Sequence, residues 1–513
     1  MTTESPGNVL FVVLDTVRKD RLTPYGYDRP TTPNLADFAD EATVFDQAVA
    51  PAPWTLPVHA SLFTGLYPSQ HGADQENPYL EGATTLAETL SAAGYDTACY
   101  SSNAWITPYT HLTDGFDDQD NFFEVMPGEF LSGPLARAWK AMNDNESLRA
   151  IADKLVSLGN TAHEYLAGGE GADSKTPAVI DRTMTFLDDA DNSFAFINLM
   201  DAHLPYHPPE EFAAEFAPGV DSADVCQNSK EYNAGARDIG DDEWDDIRGM
   251  YDAEIRHMDD QLGRLFGWLK SEGLWEETLV VVCADHGELH GEHDLYGHEF
   301  CVYDPLVNVP LLIKHPELDA DRRTDQVELV DLYHTVLDAL DVPASGPEGA
   351  VPLDPTRSLV SDSYREFAGL ADSDRDPGQR GDGEYAFVEY SRPVVELTQL
   401  EEKAAGAGID LPPDSRFYSR MRAARRVDAK YVRIDRIDDE AYRLDRDPGE
   451  TDDLAGDAAD DAAVAATESA LAGFESAAGG AWTDALDDEV SDDTVAEMDD
   501  EAQERLRDLG YLE

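Results

Sequence analysis

The chain has 513 residues, 42% of them hydrophobic, enough apolar material for one large core or two smaller ones and too much for a generally disordered chain. Aspartate and glutamate number 106 against 37 lysines and arginines, only nine of which are lysine, leaving a formal charge of −69. That balance argues against nucleic acid as a partner, because phosphate contacts need basic patches.

The carboxylates are dispersed from Asp37 to Asp508, so they do not form a single block for one basic partner. Their mutual repulsion strains a compact state, and concentrated salt relieves it by shortening the Debye length to ~3 Å at 1 M. A halophilic cytosol is the expected setting. Cys99, Cys226, Cys283 and Cys301 are too few and too scattered for a disulfide framework, and no CxxC pair is present. Met1 to Asn8 carries no basic stretch, and the apolar run Val9 to Leu14 is too short for a secretory or membrane segment, so a cytoplasmic location is expected.

Val9 to Leu14 is an uninterrupted apolar run ending in Asp15, the pattern of a parallel strand buried on both faces. Thr55 to Gly65 reads as a helix with Thr55 as N-cap, Pro57 in its first turn and Gly65 at its end. Thr85-Leu86-Ala87-Glu88 is a capping box opening a helix that ends near Gly94, and Asp96 to Tyr100 follows as a strand. Residues 126–177 read as an insertion, with helical pieces at Leu135–Met142 and Ala150–Leu158. Ile180, Met184 and Leu187 mark an amphipathic helix, and Phe194 to Met200 a strand followed by Asp201.

Tyr251, Ile255, Met258, Leu262, Leu265 and Leu269 form one apolar stripe on a helix of about five or six turns. Thr278 to Ala284 is the next strand, with Asp285-His286-Gly287-Glu288 at its end. Ligands in open α/β sheets gather beyond the carboxyl ends of the strands, so Asp15, Asp201 and Asp285 are expected to meet there. The predicted organisation is a catalytic unit over 5–350, a loop-rich connection over 351–415 and a small α+β unit over 416–513. The last has a strand at Tyr431 to Ile434, a helix at Ala462 to Phe474 and an acidic stretch from Asp484 to Glu504.

The free N–H groups and positive dipole end of the helix at Thr55 favour an anion of phosphate or sulfate type. Asp285 and His286 offer an oxygen and an imidazole side by side on a tight glycine turn, a way to present two donors to one cation. Asp15 is the third candidate ligand. Taken alone, Thr55 reads first as a plain helix cap, and Asp15 as a carboxylate that pairs with Arg18 or caps a turn.

The order of these pieces resembles the sulfatase branch of the alkaline-phosphatase superfamily. The resemblance runs through Asp15-Thr16-Val17-Arg18, Thr31-Thr32-Pro33-Asn34-Leu35, Pro57 to Pro68 and His71-Gly72. It continues through Asp201-Ala202-His203-Leu204-Pro205-Tyr206, the helix Tyr251 to Leu265, Asp285 to Glu288 and Val309-Pro310-Leu311-Leu312, and closes at Tyr442 to Glu450 with Leu454. It implies an α/β fold with a central, mostly parallel sheet flanked by helices. It further implies that Asp15, Thr55, Asp285 and His286 hold one divalent cation (Ca, Mg, Mn or Zn). Thr55 takes the nucleophile position, His203 and His298 contact the substrate anion, and Arg18, His59 and Asn103 complete the substrate-binding set. The substrate class is a small-molecule or glycan ester of sulfate or phosphate.

This sequence departs from the family pattern at Thr55, where active sulfatases hold the Cys or Ser that becomes formylglycine, at His59, where they hold Arg, and at Thr16, where a second acid is common. The expectation therefore turns to the Thr55 hydroxyl itself, as in superfamily phosphodiesterases and phosphotransferases, with a histidine protonating the leaving oxygen. Asp201 and His203 are two apart in a proline-rich loop that also holds His207, not one helical turn apart, so one cation is expected rather than two. Two other readings stay open: a phosphodiesterase or phosphotransferase of envelope glycan metabolism, and a binding protein that keeps the fold without turnover.

Overall fold

The computed structural model describes residues 6–74, 77–122, 174–190, 192–316, 318, 320–342, 349–360 and 385–478. The helical pieces expected at Leu135–Met142 and Ala150–Leu158, and the acidic stretch Asp484 to Glu504, lie outside these. The main sheet is built from β1 (Asn8–Leu14), β2 (Thr43–Val49), β3 (Asp96–Ser101), β4 (Asp118–Asp120), β5 (Ser193–Leu199), β6 (Thr278–Cys283), β9 (Asn308–Lys314) and β10 (Asp321–Glu328). A two-stranded hairpin, β7 (Leu289–His290) and β8 (Tyr296–Gly297), stands apart from it. The strand order is β10-β2-β9-β6-β1-β5-β3-β4. Every pairing is parallel except those of β9, which runs antiparallel between β2 and β6.

β1 lies in the middle because each of its seven residues is buried, as a strand covered by helices on both faces requires. Its register sets the site. Leu14 pairs with Leu199 and Val13 with Cys283, so two residues further along each chain Asp15 and Asp285 leave the sheet side by side. The helix carrying the Tyr251 stripe spans Asp241–Glu272 and is longer than expected, since Trp244 and Ile247 continue the buried face toward the N-terminus. Its first turn carries Asp241, Asp242 and Glu243, which suit the positive dipole end, and Gly273 in the left-handed region stops it. No helix among the described residues is long and apolar enough to cross a membrane.

A second, antiparallel sheet follows: β11 (Ala386–Tyr390), β12 (Met421–Arg426), β13 (Ala429–Ile434) and β14 (Glu440–Tyr442), in that order. The helix Ala462–Ala477 covers it, with Val464 and Leu471 packed against Phe387 and Tyr431, and Phe474 stacked on Phe387 at 4.3 Å. The stretch read as loops therefore contributes a buried strand, β11, and a helix, Val394–Ala407, whose Val394, Leu397, Leu400 and Ala404 face inward. Arg425 and Lys430, both buried, converge on Asp304 and dock the small sheet on the large one; Arg425 also reaches Gln47 and Gln326, and Lys430 also pairs with Glu450.

Candidate active site

The backbone turns sharply as it leaves β1. Asp15 N donates to Leu199 O at 2.9 Å, and Thr16 adopts a positive φ of 58° that swings its own N–H onto Asp285 Oδ1 at 3.2 Å. The residue expected to be a second acid thus supplies a backbone donor instead. Asp285 Oδ1 also accepts from His286 N at 2.9 Å. Asp15 Oδ2 accepts from Asn103 Nδ2 at 2.9 Å and Asn198 Nδ2 at 3.0 Å.

The opposite oxygens of these carboxylates, Asp15 Oδ1 and Asp285 Oδ2, are buried without a hydrogen-bond partner. His286 donates its Nδ1–H to Gly287 O at 3.0 Å, which leaves the Nε2 lone pair 3.4 Å from Thr55 Oγ1 and 3.5 Å from Asp285 Oδ2. One ligand atom from each of Asp15, Asp285 and His286 lies within 4.8 Å of the others. Two orphaned carboxylate oxygens and an imidazole lone pair, all facing one another and each anchored through its other atom, make a candidate ligand group that could hold a metal ion. Without positive charge there, burial and the neighbouring Asp15 push the Asp285 carboxyl well above the usual carboxylate range, while burial and His298 drive His286 well below the ordinary imidazole value.

Thr55 is the first residue of the helix Thr55–Thr64 rather than its cap, a position held by Trp54. The helix ends at Gly65, whose φ of 70° and close approach to the Tyr333 ring leave no room for a side chain. Asn103 Nδ2 lies 3.4 Å from Thr55 Oγ1, so the hydroxyl sits between an amide donor and an imidazole acceptor at a helix N-terminus.

His298 and His203 stand beside this group. The His298 ring centre is 4.5 Å from that of His286 and 5.4 Å from that of His203. Burial opposes a charge on His298, but Glu288 and Glu299 outweigh it and lift the imidazole to about 9; Glu288 Oε1 lies 3.3 Å from His298 Nδ1. His203 donates Nδ1–H to Leu204 O at 2.6 Å, and burial, opposed by Asp15, lowers its pKa.

The structure thus brings together Asp15, Thr55, Asn103, Asp285, His286, His298 and His203. His59 lies fully buried beneath Thr55, donating Nδ1–H to Thr55 O at 2.9 Å and packed edge-on to Phe196; burial holds it near 4 and therefore neutral. Arg18 points elsewhere: its guanidinium donates to Asp20, Glu288 O and Glu292. Asp201 does not join Asp15 and Asp285 either, but turns to His257, Ser174 and Thr176. Asn198, Glu288 and Glu299 flank these side chains and were not among the expected site residues. Asn198 is detectable in principle as the one amide inside the apolar run Phe194 to Met200.

The Sulfatase family profile matches residues 7–342. The uncharacterized sulfatase YidJ of Escherichia coli (strain K12) is 28% identical over 363 residues, covering 65% of this chain and 68% of its own. An arylsulfatase of Clostridium perfringens (strain 13 / Type A) is 25% identical over 374 residues, 64% of this chain and 74% of its own. Among solved structures, the phosphonate monoester hydrolase of Agrobacterium radiobacter superposes with a TM-score of 0.63 at 21% identity, over 92% of this chain and 96% of its own, which shows a shared fold.

Proposed function

Given that the chain belongs to the sulfatase family and is an ester hydrolase of that kind, we propose that it cleaves a sulfate or phosphate ester with Thr55 Oγ1 as the nucleophile. The observation that carries this reading is the position of that oxygen. It lies at a helix N-terminus 3.4 Å from the free lone pair of His286, beside the orphaned oxygens of Asp15 and Asp285. Asp15, Asp285 and His286, with Thr55 Oγ1 at their edge, would hold one divalent cation, which lowers the hydroxyl pKa and draws charge from an ester oxygen.

The chain's own residues supply the rest. Asn103 orients the Thr55 hydroxyl, and the helix N-terminus stabilises negative charge on it and on the bound anion. Thr55 Oγ1, its proton given up to solvent, attacks the central atom in line as the oxyanion, its bond to phosphorus or sulfur forming as the ester bond breaks. His298, steadied by Glu288 through Nδ1, gives a proton to the departing oxygen. Water then opens the threonyl ester with His298 as base. His59, kept neutral beneath Thr55, supports the first turn of the helix rather than clamping the anion, and Arg18 serves the Asp20–Glu292 cluster rather than substrate.

A threonine in place of the aldehyde precursor favours phosphorus over sulfur as the attacked atom. The charge of −69 supports a working environment of concentrated salt. The test compares aryl sulfate, aryl phosphate, phosphodiester and phosphonate monoester turnover in molar KCl with Mg, Mn, Ca or Zn added. At least one ester is expected to turn over in a metal-dependent way. Thr55→Ala is expected to lower that rate by ~1,000-fold or more with cation binding retained. Unchanged turnover in Thr55→Ala would refute the nucleophile assignment.

A further inference from the structure

A second group of ligand-type side chains lies behind the loop that carries His203. Asp201 follows β5 by two residues, and Glu254 and His257 sit one turn apart on the Asp241–Glu272 helix, inside its otherwise apolar stripe. One ligand atom of each lies within 4.8 Å of the other two. Glu254 and His257 are 4% and 5% exposed.

The contacts of this group leave an opening. Asp201 Oδ1 is 2.9 Å from His257 Nδ1 and 2.5 Å from Ser174 Oγ, and its Oδ2 takes the Thr176 hydroxyl. Glu254 Oε1 accepts the His207 N–H at 2.6 Å. Among the described residues, no donor reaches the second Glu254 oxygen, no partner reaches His257 Nε2, and no lysine or arginine pairs with either carboxylate. Two largely buried carboxylates therefore lie beside an imidazole, with one Glu254 oxygen free of any protein donor among the described residues. Such a pair persists either by holding a proton or by holding a cation.

We propose that Asp201, Glu254 and His257 form a second cation site, separate from the one at Thr55, that takes a divalent ion of the Mn2+ or Zn2+ type. Two carboxylate oxygens and an imidazole nitrogen favour these ions over the oxygen-only preference of Ca2+. Ligands at ~2.1 Å from one ion and at right angles to each other lie ~3 Å apart, so the 2.9 Å between Asp201 Oδ1 and His257 Nδ1 suits co-ligation. The Ser174 and Thr176 hydroxyls add oxygens from the segment that enters the helix Thr176–Asp189. Burial and Asp201 push the Glu254 carboxyl well above the usual range when no cation is present, the cost that an ion would remove. An ion here ties three chain segments together directly behind His203 and so fixes the loop from Asp201 to Tyr206.

The experiment is a count of bound Mn2+ per full-length chain after dialysis in molar KCl, which screens the surface carboxylates. Wild type is expected to keep two equivalents, Glu254→Gln and Asp285→Asn one each, and the double variant none. A single equivalent in wild type, or two equivalents kept by Glu254→Gln, would overturn the second site. Because a variant that fails to fold loses both ions, the wild-type count decides first, and His257→Gln repeats the test from another ligand. Loss of the second equivalent leaves the Thr55 reading standing, whereas an Asp285→Asn variant that keeps both ions contradicts that reading instead.

Discussion

Asp15 and Asp285 each give one oxygen to protein donors and leave the other bare, and the donors fix where the bare one points. Asn198 is one such donor, 3.0 Å from Asp15 Oδ2. Its replacement by Ala is expected to weaken cation binding by ~10–100-fold while the ligands stay in place, as a Mn2+ binding isotherm would show. Glu288 plays the corresponding part for His298. Glu288→Gln is expected to slow esters of poor leaving groups more than nitrophenyl esters, which need little protonation, so a plot of rate against leaving-group acidity should steepen; an even loss across the series would contradict the role of His298 as acid. At this scale the sequence was legible where a residue type is rare in its context: Asp15, Asp285 and His286 end apolar strands, and Asn103 follows one. It was misleading where a charge had better partners nearby. Arg18 is drawn to Asp20 and Glu292, and Asp201 to His257, neither of which any spacing rule reveals.

Among the elements, the strands around β1 were readable because a doubly covered strand has to be apolar throughout, and the helix starts because Thr85 and Glu88 form the expected box. The antiparallel sense of β9 was not, since hydropathy carries no direction. β11 was hidden because five residues just after an acidic, glycine-rich stretch resemble a loop until Arg422 and Arg425 are seen to pair beside them. Two predictions belong here. Gly287 closes the turn after β6, and a Cβ there would stand 2.0 Å from Pro305 O, so Gly287→Ala is expected to displace His286 and lower kcat/KM by ~100-fold with the circular dichroism unchanged. His71, on the short helix Pro68–His71, accepts the Ala73 N–H at Nδ1 and contacts Ser61; burial holds it at about 3. The folded chain therefore binds fewer protons than the unfolded one once pH drops below the ordinary histidine value. Its contribution is full above pH ~6.5 and falls steadily toward pH 3, a loss of ~2 kcal/mol by pH 5. Denaturation curves of His71→Gln should show a smaller decline between pH 7 and 5 than wild type.

The molecule as a whole combines a large sheet, a small sheet and a surplus of carboxylates. The sheets meet at Asp304, where Arg425 and Lys430 give two of the few bases a buried task. Elsewhere the charge of −69 repels itself, so thermal unfolding is expected to move upward as KCl rises from ~0.1 M to ~1 M and the Debye length shrinks from ~10 to ~3 Å; a midpoint that stays flat or falls would remove the case for adaptation to high salt. The fold delivers Thr55, Asp15, Asp285 and His286 to one point from three distant stretches of chain, and the hydroxyl at that point is the group on which the proposed chemistry turns. Acid quenching of the intact enzyme during steady turnover, followed by mass mapping of its peptides, reads this directly. The peptide that contains Thr55 is expected to carry one phosphoryl-linked or sulfuryl group, at Thr55 and in wild type only. Turnover with that peptide unmodified at every quench time would contradict the account.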